Sequence, residues 1–229
     1  LKNGMLVGPY RIRRLIGSGG MGEVYRAFEE RVQRRVALKI LSASNHLQKF
    51  LREARTLAAV NHPCIVGFYG IEEFNSIQTL AMEYVDGVTL RKFFDTFVLS
   101  GKEAAPVFLQ ILEGVRELHR NSIVHRDLTP GNIMLDSRGK IKILDFGIAK
   151  QYGSNSEFTQ EGIVVGTPQY LAPEILTGAP ATALSDLWSV GAVFYECVSG
   201  MALSRGAPGT AIAPRFNKEC LQWAPYELQ

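Results

Sequence analysis

The hydrophobic period changes shortly after residue 41 of this chain, and that change predicts two differently built parts. Up to that point the text reads as strands. Tyr10, Ile12 and Ile16 alternate along one face, and "EVYRAF" (23–28) and "RVALKIL" (35–41) are rich in β-branched and aromatic residues. Phe50, Leu51, Ala54, Leu57 and Ala58 then recur at helical spacing, with Asn61-His62-Pro63 as the stop. Strand-like text returns at 65–69 and 78–85. Beyond Gly87 the helical period dominates. Phe108, Ile111, Leu112, Val115 and Leu118 mark one long helix. A second is expected from Ser185 as N-cap, through Leu187, Val190, Phe194 and Val198, to Gly200. Strand pieces at 133–135 and 141–144 and the polar loop "KQYGSNSEFTQEG" lie between the helices. A strand-rich first third and a helix-rich remainder predict an α+β chain of two lobes joined near residues 83–88.

At 229 residues and 46% hydrophobic, the chain can give both lobes a core. Its net charge, 25 − 22 = +3, is scattered, so no basic stripe for nucleic acid is visible. A single polyanionic ligand is compatible with that balance. Cys64, Cys197 and Cys220 are sparse, odd in number and without C-x-x-C spacing, which argues against a disulfide framework and a zinc site. No apolar run approaches the about 18 residues needed to span a bilayer, and no signal pattern opens the chain. A cytoplasmic, reducing setting is expected, and Leu1 in place of Met suggests a piece of a longer protein.

The chemistry-bearing motifs begin with "IGSGGMGEVY" (16–25), which fits G-x-G-x-x-G-x-V through Gly17, Gly19, Gly22 and Val24. A strand follows these glycines rather than a helix, so dinucleotide binding is disfavoured and a flap over phosphates is favoured. Lys39, in "VALK", sits on a strand with Leu38 on the opposite face. It can neutralise phosphates if Glu53, on the 50–58 helix, steadies its ammonium. In "VHRDLTPGNIM", Asp127 can accept a proton from an attacking hydroxyl and Asn132 can ligate magnesium. In "ILDFGIA", Asp145 can bridge a metal to phosphates, and "APE" (172–174) closes the polar loop.

These motifs, in this order, resemble the eukaryotic-like protein kinase family, and "GSGGMGEVYRA", "HRDLTPGNI" and "GTPQYLAPE" look most like its bacterial serine/threonine branch. The resemblance runs from about Tyr10 to Gly200. It implies a bilobal kinase fold over residues 1–229, with a small antiparallel-sheet N-lobe (10–85) carrying one regulatory helix, and a mostly helical C-lobe (86–229). It implies ATP with Mg2+, Mn2+ being an alternative ion, held by Asn132 and Asp145. The nucleotide would be bounded by Ile16, Gly17, Ser18, Gly19, Gly20, Gly22 and Val24, by Ala37 and Lys39, by gatekeeper Met82, by the hinge backbone of Glu83 and Val85, and by Met134 below the ring. Catalysis would rest on Asp127, Lys39, Glu53, Asn132 and Asp145. Leu57, Phe68, His125 and Phe146 would form a stack linking the lobes, so His125 is expected to be packed structure rather than a general base. Asp186 would brace the catalytic loop. The implied partners are proteins offering Ser or Thr hydroxyls, and a second copy for trans-autophosphorylation.

Arg126, beside the catalytic acid, would receive a phosphate from Thr159, and Glu161 already supplies some of that negative charge. His62 reads as a turn residue; His46 and His119 carry no pattern. Two positions depart from the family. Thr129 stands where a lysine is usual, and one electrostatic donor is worth ~3 kcal/mol, on the order of a hundredfold in rate. Residues 201–229 lack the arginine that would pair with Glu174, so the C-terminal helices are expected to be incomplete. A nucleotide-binding pseudokinase scaffold is the alternative reading. A small-molecule kinase of the aminoglycoside type is disfavoured by "APE" and by the Thr159 loop.

Overall fold

The computed structural model describes residues 1–19, 22–41, 60–75, 77–145 and 168–203. The chain divides into two compact units, 1–86 and 87–229.

In the first unit, β1 (Leu6–Val7), β2 (Tyr10–Gly19), β3 (Gly22–Glu29), β4 (Arg34–Leu41), β5 (Phe68–Phe74) and β6 (Ile77–Glu83) form an antiparallel sheet in the order β1-β2-β3-β4-β6-β5. Ile12, Tyr25, Ala27, Val36, Leu38 and Ala81 meet in the apolar core on one face. Right-handed twist curls the sheet. The Phe74 ring of β5 therefore lies edge-on to Tyr10 of β2, centroids 6.3 Å apart, although three strands separate them in the sheet.

Two strand expectations shift here. The alternation Tyr10–Ile12–Ile16 breaks, because register shifts fall between Ile12 and Arg14 and between Leu15 and Gly17. They leave Ile16 42% exposed. The strand expected at 65–69 begins instead at Phe68. Ile65 closes a turn on the His62 carbonyl at 3.0 Å, so it and Val66 are buried without extending the ladder.

The second unit opens with β7 (Gly87–Thr89) and α1 (Leu90–Phe94), followed by α2 (Gly101–Arg120). A 3-10 turn (Pro130–Asn132) leads into the hairpin of β8 (Ile133–Asp136) and β9 (Ile141–Ile143), and β7 joins that hairpin as a third strand. After a 3-10 turn at Pro168–Tyr170 come α3 (Pro173–Leu176) and α4 (Ala183–Ser199). Ser100 and Glu103 cap α2 reciprocally. The start of α4 is set differently from expectation. Thr182 is the N-cap, and Ser185, three residues on, completes the box by accepting the Thr182 N–H at 2.9 Å. Gly200 ends α4 in the left-handed region at φ 69°.

Phe108 of α2 and Phe194 of α4 pack edge to face at 4.8 Å over a core that includes Ile111, Val115, Ile133, Ile143 and Val193. Leu112 and Leu187 fall off the inward faces and stay exposed, because each lies on the far flank of its apolar stripe. Arg91 of α1 grips Glu196 of α4 with two hydrogen bonds, 2.8 and 2.9 Å, and the Tyr170 hydroxyl donates to the same carboxylate at 2.6 Å. Burial, then Glu196, pushes the Tyr170 hydroxyl far above its ordinary range.

Candidate active site

Five of the expected nucleotide residues of the first unit, Gly17, Val24, Ala37, Lys39 and Met82, share one face of the sheet. Gly17 pairs with Val24, Val24 with Lys39, and Ala37 with Met82; direct antiparallel partners project to the same side. Tyr25, Leu38 and Ala81 project to the other side, into the core. Lys39 and Leu38 therefore do sit on opposite faces, with Lys39 only 7% exposed. Ala37 is small and buried, which leaves this face flat beside Met82.

The glycine segment is a hairpin. Gly17, Ser18 and Gly19 of β2 face Val24, Glu23 and Gly22 of β3. Gly22 adopts φ 126°, and a Cβ there would lie 1.9 Å from the Ile40 carbonyl oxygen, so only glycine fits. Gly20 lies outside the described residues, as do Glu53, Leu57, Phe146 and Thr159. Glu83 ends β6 with its N–H on the Gly67 carbonyl (2.8 Å) and its carboxylate accepting the Gly67 N–H (3.1 Å). Val85 follows outside the strand.

The second unit holds Asp127, Asn132, Met134 and Asp145. The Asn132 amide donates to the Asp127 carboxylate at 3.0 Å and to its carbonyl at 2.8 Å. His125 donates from Nε2 to the Leu144 carbonyl (2.8 Å), while its Nδ1 accepts the Asp127 N–H (3.2 Å). Leu144 in turn donates its N–H to the Asn132 carbonyl at 2.8 Å. Loop 125–132 and the residue before Asp145 are thereby tied in one ring of hydrogen bonds. His125 is fully buried, and desolvation holds its imidazole below the ordinary range, hence neutral. Asp145 has φ 37°, left-handed backbone in a non-glycine residue. Met134 sits on β8 between Thr89 and Lys142.

Asp186 of α4 is 1% exposed and accepts the His125 N–H at 2.8 Å, the Arg126 N–H at 2.9 Å and His119 Nε2 at 2.8 Å. Arg126 is half-buried at φ 68°, and its guanidinium has no partner among the described residues. His119 was invisible in the sequence. A lone histidine one turn after Val115 gives no pattern until α4 brings a carboxylate to it.

The donor set suits a hard cation. Asn132 uses its side-chain nitrogen on Asp127, and its side-chain oxygen Oδ1, unlike its main-chain carbonyl, accepts no hydrogen bond from the described residues. Among those residues no group of three or more His, Cys, Asp or Glu is placed to hold a metal ion. Magnesium, which takes one or two protein oxygens and completes its shell with phosphates and water, needs none. No helix of the described residues is long and apolar enough to cross a membrane.

The protein kinase domain family matches residues 10–224. The chain is 40% identical over 225 residues to the serine/threonine-protein kinase PknA of Mycobacterium tuberculosis, covering 93% of this chain and 52% of that protein. It is 38% identical over 212 residues to the serine/threonine-protein kinase PrkC of Bacillus subtilis, covering 90% and 33%. A probable serine/threonine-protein kinase of Bifidobacterium longum, pknA2, is 40% identical over 86% of this chain and 27% of its own length. This chain thus spans between about a quarter and a half of those relatives. The crystal structure of the M. tuberculosis PknI kinase domain superposes with a TM-score of 0.74 at 26% identity, covering 94% of this chain and 82% of that one.

Proposed function

The chain belongs to the protein kinase family, in its bacterial serine/threonine branch, and on that footing we propose that it transfers the ATP γ-phosphate to serine and threonine hydroxyls of proteins. The observation that carries this reading is the Asp127–Asn132 contact at 3.0 Å on a loop fixed by Asp186. Family membership implies ATP and a divalent metal ion. Residues 10–85 would act as the N-lobe and residues 86–229 as the C-lobe.

In this reading Asp127 orients and deprotonates the acceptor hydroxyl, and the Asn132 amide keeps its carboxylate turned toward that task. The Asn132 side-chain oxygen and Asp145 would hold Mg2+, or Mn2+ in its place, and the ion would supply positive charge against the phosphates. Lys39, steadied by Glu53, would neutralise phosphates, and the glycine hairpin would offer backbone N–H groups. Ile16, Val24, Ala37, Met82 and Met134 would bound the adenine. Arg126 supports phospho-control through Thr159, because a guanidinium with no partner among the described residues suits an incoming phosphate. Trans-autophosphorylation would need a second copy of the chain.

The test is intact-mass and peptide mapping after incubation with Mg-ATP, beside Asp127→Asn. Phosphate on Thr159 that vanishes in the variant supports an active, loop-controlled kinase. No phosphate, with ATP still raising Tm, would favour a nucleotide-binding scaffold disabled at Thr129.

A further inference from the structure

The segment that leaves β6 is held on the core face by hydrogen bonds to Gly67 and on the opposite face by two arginines. On the core face, Glu83 is tied twice to Gly67. Beside it the Arg34 guanidinium lies over the Tyr69 ring at 3.5 Å and pairs with Glu29 at 2.7 Å. On the opposite face, Arg26 of β3 and Arg35 of β4 both approach the Tyr84 ring, at 5.3 and 5.6 Å from its centroid. Arg35 also pairs with Asp86 at 3.1 Å. Arg26 has no carboxylate partner among the described residues, and its direct partner across the strand pair is another cation, Arg14. Like charges set directly opposite are unfavourable in a sheet. The Tyr84 ring therefore gives the Arg26 charge its favourable contact.

We propose that Arg26 and Arg35 are positioning residues for nucleotide binding, which clamp Tyr84 and Asp86 and so preset the Glu83–Val85 backbone against adenine. The proposal rests on the reading of Glu83 and Val85 as adenine-binding backbone. Residues 84–86 lie outside the sheet ladder and would lose conformational freedom on gripping a ligand. A segment already held in place binds more tightly because that ordering has been done in advance. Each contact is individually modest, being partly exposed: Arg35 is 52% and Asp86 66% exposed at the side chain.

The experiment is calorimetric titration of Mg-ATP into the full chain, with Mg-tripolyphosphate in parallel as a ligand that lacks adenine. The double variant Arg26→Gln/Arg35→Gln is expected to weaken ATP about tenfold and leave tripolyphosphate within twofold. Arg26→Lys/Arg35→Lys, which keeps both cations, should recover most of the loss. Val85→Pro removes the N–H and tests the underlying reading. If Val85→Pro weakens ATP but the Gln pair does not, the clamp is overturned and the adenine reading stands. An equal loss for ATP and tripolyphosphate also overturns the clamp, since it reports general damage. Unchanged ATP affinity in Val85→Pro removes the adenine reading and the clamp with it.

Discussion

Asp186 and Arg126, 60 positions apart, are joined by a 2.9 Å hydrogen bond from the arginine's main chain to the aspartate's carboxylate. The side chain that braces the loop thus grips backbone, not side chain, and leaves the Arg126 guanidinium without a partner among the described residues. Asp186→Asn tests this brace. An amide offers one acceptor where three donors converge, so a buried N–H loses its partner. A loss of about 1–3 kcal/mol is expected, read as a lower urea midpoint at unchanged m. The same variant should fall in turnover, since Asp127 follows the gripped residues directly.

Alkaline stability should depend on Tyr10. It is 3% exposed, and burial, with Glu29 second, pushes its hydroxyl from 10.0 to about 12. Above pH 10 the unfolded chain releases this proton and the folded chain retains it. The stabilisation is therefore present below pH 10 and lost as pH climbs toward 12. Denaturation at pH 8 and pH 11.5 should show Tyr10→Phe declining less than wild type, by on the order of 2 kcal/mol.

Gly22→Ala should damage the hairpin through the sheet rather than through any ligand. The new Cβ meets the Ile40 carbonyl at 1.9 Å, a backbone atom that cannot swing aside, from a backbone at φ 126°. Strain and overpacking together predict a loss of roughly 2–4 kcal/mol. Thermal unfolding without nucleotide reads it. Gly17→Ala, whose Cβ would make only ordinary contact with Val24 at 3.9 Å, is the control, expected within about 1 kcal/mol.

Thr129→Lys restores a cation near Asp127. Thr129 is half-buried, precedes the 3-10 turn and makes no side-chain cap, so the longer residue displaces no hydrogen bond there. Steady-state turnover with Mg-ATP should stay level or rise, by up to roughly a hundredfold. A large fall would instead assign the threonine hydroxyl a role in the reaction.

Much of the site was legible because its chemistry is carried by residue types at fixed short spacings. Five positions separate Asp127 from Asn132, and one 3-10 turn across that spacing brings them within 3.0 Å. Strand alternation likewise put Lys39 and Leu38 on opposite faces. Ile16 and Ser185 were misread for local reasons. A bulge cancels strict alternation, and the capping box of α4 contains two hydroxyl residues, of which the first is the cap. Glu53, Gly20 and Thr159 lie outside the described residues.

The sequence by itself determined which groups could do chemistry, the order in which the chain presents them, and the period of most elements, since these depend on residue type and separation alone. Tertiary structure decided which distant partner completes each group: His119 with Asp186, Arg91 with Glu196 and Tyr170, Arg26 and Arg35 with Tyr84. Those pairings carry no sequence signal because buried hydrogen bonds and ring contacts are satisfied by proximity in space. Only packing α2 on α4, or curling the first sheet, creates that proximity.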